Sequence, residues 1–582
     1  MSDSGNVTYE GHRAGRAALE AWDEAKPSNA FEADPHFRRL VELYRDEEKH
    51  PSLPEKLREF GAEVAGPVDE LVRENDRRGN HPELDRYGDY GTRREQIDHH
   101  PSYHEAGRYI YGSGLMSAYE DHPNSLGVLS RFYLSSYNSE AGHNCPAACT
   151  AGVIRVLQDL ADDELREEYL PGFLNPNYDE HLEGAQFMTE VQGGSDVGTN
   201  ATRAIRQEDG TYRIRGEKWF CSNVDADVFL MTARFSEDQE GTSGLGLFFV
   251  PRELEDGSVN HFEIRRLKDK IGTRAMASAE CDFKGAVAHH LGPEEDGFKN
   301  MMKYVINTSR LWNAVACAGS ARRSYVTAAS YAEYREAFDR PIVDYPLVQE
   351  NLAELKADVD AAASGCLHMT ALRDRLDAGE GGETEREFFR MALNLNKVWT
   401  AKFGREAAVE AIEVLGGNGA IETFSVLPRL LRDSIVTENW EGTHNTLQMQ
   451  VMRDMQKYQV HEGFFAYVRE LLSEARDEDE PFVETLRESM RESTERLVEL
   501  SQMDRGAATL AMRPLMDDLA HLMYGSVRVW ERGRRDRGGE ARERRDRDSL
   551  EHFLAAHLDS GPDRTSGRYL ERIRNLAKTP TL

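Results

Sequence analysis

Glu413-Val414-Leu415-Gly416-Gly417-Asn418-Gly419 is followed by Leu427-Pro428-Arg429, by Arg432-Asp433 and then by Trp440-Glu441-Gly442-Thr443. A glycine cluster near a helix end lets backbone come close to a large ligand. Further on, one carboxylate, Glu441, stands next to a glycine, between an aromatic and a hydroxyl residue. That pairing predicts a cofactor site beside a single general base.

At 582 residues the chain is too long for one core, so several packed domains are expected. Hydrophobic residues make up 39%, enough for globular cores although 30% of residues are charged. The sequence has no apolar run of about 18 residues, so no membrane insertion is expected. The start, Met1-Ser2-Asp3-Ser4-Gly5, lacks the basic and apolar regions of a secretory signal, and a cytoplasmic protein is expected. Cys145 and Cys149 are close, but no second pair completes a zinc site, and His99, His100 and His104 are interrupted by Pro101. No metal site is therefore expected, and the six cysteines read as reduced, mostly buried thiols. Net charge is −31, with lysine scarce and arginine abundant. This balance suits a protein kept soluble in a very salty cytoplasm, where salt screens the repulsion. An ordinary acidic enzyme encoded by GC-rich codons is the alternative.

Residues 1–79 are polar with helical patches such as Phe37 to Tyr44, and read as an N-terminal extension. Residues 80–184 carry longer helical patterns, including Ala106 to Tyr119 and Ala147 to Leu160. Over 185–290 the period changes to that of strands: Tyr212 to Arg215 alternates, and Val228 to Ala233, Leu245 to Val250, Phe262 to Ile264 and Ala279 to Phe283 are short apolar runs. Helical periodicity returns over 291–455, with Leu352, Leu355, Val359 and Ala362 on one face and Val409 and Ile412 on another. Residues 456–582 read as a helical C-terminal extension with a stripe of Val483, Leu486, Met490 and Leu497. Two acidic stretches, Asp377 to Glu385 and Asp477 to Glu480, are predicted to be solvated loops, and the mixed-charge segment Arg528 to Asp548 a solvated, partly disordered linker.

Met188-Thr189-Glu190-Val191-Gln192-Gly193-Gly194-Ser195-Asp196 opens the β region, with small residues that expose donors to a flavin edge or a diphosphate. Lys218-Trp219-Phe220-Cys221-Ser222-Asn223, Lys270 to Arg274, Gly297-Phe298-Lys299, Arg310 and Arg335 to Ile342 follow, before the stretch quoted first. This ordered set, over about residues 80–455, resembles the acyl-CoA dehydrogenase family. Pro82 to Tyr87, His100 to His104, Glu140-Ala141-Gly142 and Cys145-Pro146 make it most similar to the AidB-like branch, flavoproteins of the adaptive response to alkylation. The resemblance implies a mainly α fold with a central β domain: an N-terminal helical domain, a β-barrel-like middle domain and a C-terminal four-helix bundle. It also implies FAD between the β domain and the bundle.

Carried over by resemblance, Met188, Thr189, Gly194, Ser195, Phe220, Ser222 and Thr443 contact FAD. Thr189 meets the isoalloxazine edge, Ser195 the diphosphate, and Phe220 and Ser222 replace a tryptophan and a threonine of many relatives. Arg335, Phe338, Gly416 and Gly417 resemble residues that hold the adenine half across a subunit interface, which implies a homo-oligomer, a tetramer in this family. Glu413 stands where many relatives have glutamine. Glu441 matches the family's commonest base position, with Arg310 as its neighbour. The alternative position, at Thr308-Ser309, has no carboxylate. The implied reaction is oxidation of an acyl-CoA or similar thioester to the enoyl thioester, with an electron-transfer flavoprotein as acceptor. The AidB-like branch also implies a second function, DNA-associated protection with little turnover. Molar salt and a charge of −31 weigh against phosphate-driven DNA binding, so a nucleic acid ranks second as partner. Without the resemblance, Glu441 is simply a carboxylate at a helix N-terminus that Thr443 caps.

Overall fold

A computed structural model describes residues 10–139, 142–236, 239–534, 539–559 and 561–578. Glu140 and Ala141, singled out above, and residues 535–538 of the mixed-charge segment lie outside the described residues. The chain starts with helices α1 (Glu10–Glu24), α2 (Pro35–Tyr44), α3 (Leu53–Glu63) and α4 (Asp69–Asn75). After a hairpin, α5 (Pro101–Gly112), α6 (Ser125–Ser135), α7 (Asn144–Asp159) and α8 (Asp163–Phe173) complete the N-terminal helical part. Phe37, Leu40 and Val41 of α2 and Leu57 and Phe60 of α3 enter the same continuous core as Val153, Ile154 and Leu157 of α7.

The hairpin, β1 (Glu83–Tyr87) and β2 (Arg93–Asp98), lies where only helical patterns were expected. Its inward residues are Glu95 and Ile97, so the alternation carries no simple hydrophobic signal. Glu95 is fully buried, and its carboxylate accepts the Ile264 N–H at 2.8 Å, docking the hairpin on the next domain.

That domain holds β3 (Gly184–Phe187), β4 (Arg203–Arg206), β5 (Tyr212–Ser222), β6 (Val228–Arg234), β7 (Leu245–Pro251), β8 (Phe262–Leu267) and β9 (Ser278–His290). The pairings β6–β4, β4–β5, β5–β9, β9–β7 and β7–β6 return to their start, so the sheet closes into a barrel. β3 adds to β6 in parallel and β8 to β9 antiparallel. Closure removes most exposed edges. The interior is filled by Phe187, Ile214, Phe229, Met231, Phe248, Val250 and Phe283, so the runs predicted as strands supply the core.

Helices resume with α9 (Gly297–Asn300), a π-helical stretch (Met301–Ile306) and α10 (Asn307–Tyr334). A two-residue hairpin, β10 (Glu336–Ala337) and β11 (Arg340–Pro341), leads to α11 (Pro346–Asp377) and α12 (Glu383–Leu415). These three long helices form the bundle, against which α13 (Leu427–Asn439), α14 (His444–Tyr458) and α15 (Val460–Ser473) pack. Leu352, Leu355 and Val359 are buried as predicted, whereas Val409 is 43% exposed.

The C-terminal helices α16 (Glu480–Gln502), α17 (Arg505–Arg534), α18 (Glu540–His557) and α19 (Gly567–Ala577) extend the same core. The Tyr524 ring of α17 crosses α11 so closely that a Cβ on Gly365 would stand 2.0 Å from it. The described parts of the predicted linker are instead two packed helix ends: Arg528 and Arg532 are buried. Arg532 donates to Asp479 through two bonds of 3.0 Å, and pairs with Glu543 at 2.7 Å and Asp546 at 3.0 Å. Asp479, expected in a solvated acidic loop, is fully buried as its partner. Charges that look solvent-loving in sequence are matched across the fold. At the other acidic stretch Asp377 closes α11 and pairs with Arg155 at 2.7 Å and Arg373 at 2.8 Å. Among the described residues no helix is long and apolar enough to cross a membrane.

Candidate active site

Between the barrel and the bundle lies a cavity of about 2020 Å³. Pockets for one small ligand hold about 300–1,000 Å³, so this one has room for a dinucleotide and a second molecule. Of the residues chosen from sequence, Met188, Thr189, Gly194, Ser195, Phe220, Ser222, Arg310, Glu441 and Thr443 all line it. Arg335, Phe338, Glu413, Gly416 and Gly417 do not. They gather at one end of the bundle, where Asn418 of the glycine turn donates to Tyr331 Oη at 3.1 Å, one helical turn before Arg335. Phe338, at the tip of the β10–β11 hairpin, has φ +51° and is 91% exposed, and Gly416 has φ +60° where α12 ends.

Glu441 sits outside both flanking helices, in the turn from α13 to α14, with φ +56°. A non-glycine residue in this region is strained, and the surroundings hold it there. Arg310 of α10 donates from Nε to the Glu441 carbonyl at 3.1 Å, while its Nη1 is fixed by Asn394 Oδ1 at 2.9 Å and Gln450 Oε1 at 3.0 Å. Lys397 Nζ donates to the carbonyls of Glu438 at 2.9 Å and Gly442 at 3.0 Å. Gly442 has φ +104°, and Thr443 caps α14 by accepting the Thr446 N–H. The turn is thus clamped by two buried cations acting on its backbone, so neither pairs directly with the Glu441 carboxylate.

That carboxylate accepts one hydrogen bond, from Gln186 Nε2 to Oε1 at 2.8 Å, and Ser309 Oγ in turn donates to Gln186 Oε1 at 3.2 Å. Burial raises Glu441 from 4.5 to about 7, against the opposing pull of Arg310, Lys397 and the Gln186 bond. Burial also draws Arg310 down to about 10 and Lys397 down to about 8. Glu441 is the one carboxylate among the described residues lining the cavity. Glu438 is used elsewhere, in an ion pair with Arg405 at 2.8 Å. A smaller chamber of about 40 Å³ continues behind Glu441 and Trp440, whose ring packs on Cys145, Cys149 and Met276. All six cysteines are free and buried.

The barrel wall supplies groups that fit a flat, polar-edged ring with a diphosphate. Phe220 is 52% exposed, and Lys268 Nζ lies 4.8 Å from its ring centroid. Ser222 Oγ shares a hydrogen bond with Ser278 Oγ at 3.1 Å. Gly194 must be small, because a Cβ there would approach Thr189 Oγ1 to 2.9 Å. Ser195 Oγ meets Thr446 Oγ1 at 3.1 Å, and Thr443 Oγ1 meets the same hydroxyl at 3.0 Å. These hydroxyls cluster at the N-terminus of α14, where backbone N–H groups favour an anion. The three histidines serve the scaffold: His99 meets Asp225 at 2.8 Å, His104 meets Tyr178 Oη at 3.1 Å and His100 caps α5.

Gln186 and Lys397 escaped the sequence reading. Gln186 alternates with Ala185 and Phe187, which fill the barrel, so a period of two already points it outward. Lys397 belongs to Asn394-Leu395-Asn396-Lys397, a polar run buried in mid-helix, which is its own signal.

Three sequence families match the chain in order: the adaptive response protein AidB N-terminal domain over residues 22–180, the acyl-CoA dehydrogenase middle domain over 185–286 and the acyl-CoA dehydrogenase C-terminal domain over 295–456. AidB of Escherichia coli (strain K12) is 32% identical over 433 residues, covering 72% of this chain and 77% of the relative. Acyl-CoA dehydrogenase family member 11 of Caenorhabditis elegans is 30% identical over 467 residues, covering 78% and 75%. The crystal structure of Caenorhabditis elegans ACDH-11 in complex with C11-CoA superposes with a TM-score of 0.85 at 26% identity, covering 92% of each chain. Bacillus anthracis acyl-CoA dehydrogenase complexed with FAD shares the fold, with a TM-score of 0.72 at 18% identity, covering 92% of this chain and 96% of that one. The chain belongs to the acyl-CoA dehydrogenase family, whose members are typically FAD-dependent oxidoreductases, and within it to the AidB-like group.

Proposed function

We propose that the protein is an FAD-dependent dehydrogenase of acyl thioesters, with Glu441 as the base. The observation that carries this is one carboxyl, raised to about 7, facing a cavity with no other carboxylate among the described residues and lined by the hydroxyls and the aromatic face a flavin needs. FAD, when bound, supplies the acceptor for the two electrons and the β-hydrogen that leave as hydride. Glu441 takes the α-proton. Its raised value matches the base to neutral pH, because a stronger base still ionised at pH 7 accepts a carbon-bound proton more readily. The Gln186 bond to Oε1 fixes the carboxyl's direction and leaves Oε2 for the proton. Arg310 and Lys397 hold the Glu441 turn by its backbone and keep positive charge near the carboxylate without consuming it. Thr189, Ser195, Phe220, Ser222 and Thr443 hold the cofactor, and the chamber behind Trp440 receives the acyl end.

Arg335, Phe338, Glu413, Gly416 and Gly417 fit the same proposal only in an oligomer. They form an exposed end of the bundle, away from this chain's own cavity, and so serve the cofactor of a second copy. Electrons then pass to an electron-transfer flavoprotein. The alternative of a DNA-associated protein draws no support from the Arg528 to Asp548 segment, where Arg528 and Arg532 are buried in ion pairs.

The test is spectroscopic. The protein purified in high KCl carries a flavin spectrum, and anaerobic addition of a panel of acyl-CoAs bleaches the visible band with at least one of them. Glu441→Gln keeps the flavin and abolishes the bleaching. Flavin without bleaching by any thioester, together with duplex DNA binding at high salt, refutes the proposal.

A further inference from the structure

We propose that Lys218 and Glu190, neither of which lines the cavity, are positioning residues for the cofactor: their buried ion pair holds the loop 188–202 and strand β5 in the shape a flavin dinucleotide requires before it binds. This rests on the flavin reading above. The loop carries Met188, Thr189, Gly194 and Ser195, and β5 carries Phe220 and Ser222, all facing the cavity. The pair lies behind that wall, with the Lys218 side chain 0% and the Glu190 side chain 2% exposed.

The bonds of the pair all go to this framework. Lys218 Nζ donates to Glu190 Oε1 at 2.8 Å and to the Met188 carbonyl at 3.3 Å. The Glu190 carboxylate also accepts the Ala201 N–H at 2.7 Å, the Thr202 N–H at 3.2 Å and the Gln192 side-chain amide at 2.7 Å. One carboxylate thus fastens the start of the loop to a point 11 residues further on. The ammonium fastens both to the strand that bears Phe220 and Ser222. Paired backbone bonds between Glu190 and Gly193, at 3.2 and 3.0 Å, close the turn just before Gly194 and Ser195. The Trp219 N–H donates to the Thr189 carbonyl at 2.9 Å, so loop and strand also meet through backbone.

Stability alone does not explain such a pair. Desolvating two ions opposes their attraction, and replacing both members of a buried pair by uncharged groups is often neutral. What uncharged groups do not reproduce is the convergence of a loop start, a loop end and a strand on one carboxylate. A loop left loose would have to be ordered when FAD binds, and each backbone residue so ordered weakens affinity by on the order of tenfold.

The Glu190→Gln/Lys218→Met double variant removes both charges together, so no unpaired ion stays buried. In the full-length protein it is expected to weaken FAD binding, measured by equilibrium dialysis, on the order of tenfold or more. The urea midpoint of the flavin-free double variant should match that of flavin-free wild type. Hydrogen exchange gives a second reading: in flavin-free wild type the amides of Gly193, Ala201 and Thr202 should already be protected, and FAD should add little. Unchanged FAD affinity in the double variant, a urea midpoint that falls in step with the affinity, or loop amides protected only once FAD is added overturns the inference. Thioester bleaching in a double variant that keeps wild-type FAD affinity retains the dehydrogenase and rejects this positioning role. Weakened FAD binding in the double variant, with no bleaching of wild type by any thioester, does the reverse.

Discussion

Replacing Glu441 by Gln should stabilise the protein at alkaline pH and do almost nothing at acid pH. The carboxyl sits at 4.5 in an open chain and at about 7 in the fold, chiefly because burial disfavours its charge. That difference corresponds to about 3 kcal/mol between the two protonation states. Between these two values the folded chain keeps a proton that the unfolded chain has lost, so this residue makes stability fall as pH rises through the window. Below about pH 4.5 both states hold the proton and Glu441 costs nothing. Above about pH 7 the folded state must carry a buried negative charge and bears the full penalty. Gln has the same shape, and its amide oxygen still accepts from Gln186 Nε2, so it removes the charge and little else. The variant-minus-wild-type difference should therefore grow from near zero at pH 4.5 to at most about 3 kcal/mol at pH 8.5, less whatever water entering the cavity relieves. Urea unfolding of both proteins at the two pH values, in one KCl concentration, measures it. Comparing the pair cancels every other titrating group. A difference that is the same at both pH values refutes the claim that burial strains this carboxylate.

Activity has the opposite dependence, which is the cost of a strained base: kcat/KM should rise with pH through about 7 as Glu441 ionises. Gln186→Leu removes a hydrogen bond that lowers Glu441, so the rising limb of that profile should move to higher pH; an unmoved limb contradicts the assigned contact. Arg532→Met strands the fully buried Asp479 and should cost about 3–5 kcal/mol in urea unfolding, whereas a loss under ~1 kcal/mol means that water reaches the site. Gly365→Ala forces a Cβ to within 2.0 Å of the Tyr524 ring and should lower stability by about 1–3 kcal/mol by loosening the α11–α17 contact. Stability should also rise steeply from dilute buffer to molar KCl, and a protein equally stable in both is not adapted to salt.

The barrel was legible because its strands are short apolar runs whose side chains fill one closed core, and local pattern suffices for that. Thr443 and the Gly416-Gly417 turn were legible because a cap and a positive φ restrict which residues can serve, whereas Glu441, at φ +56° where glycine is favoured, was singled out by the resemblance alone. The pairing of Arg532 with Asp479 was not legible, since partners 53 positions apart look in sequence like two separate solvated charge runs. The β1–β2 hairpin hid for a related reason: its inward face carries Glu95, a carboxylate satisfied by Arg93 beside it and by backbone 169 residues away. For Glu441 the motif picked out the carboxylate, but only the fold shows that Arg310 and Lys397 reach the backbone of its turn while burial raises the carboxyl to about 7.

Anaerobic mixing of the flavin-loaded protein with acyl-CoAs of graded length, followed at the flavin visible band for wild type and Glu441→Gln, tests the central claim most directly. The account predicts bleaching of the wild type by at least one thioester and a rate at least about a hundredfold slower in the variant at the same flavin content. Bleaching of Glu441→Gln at the wild-type rate, or no bleaching of the wild type by any thioester, contradicts it.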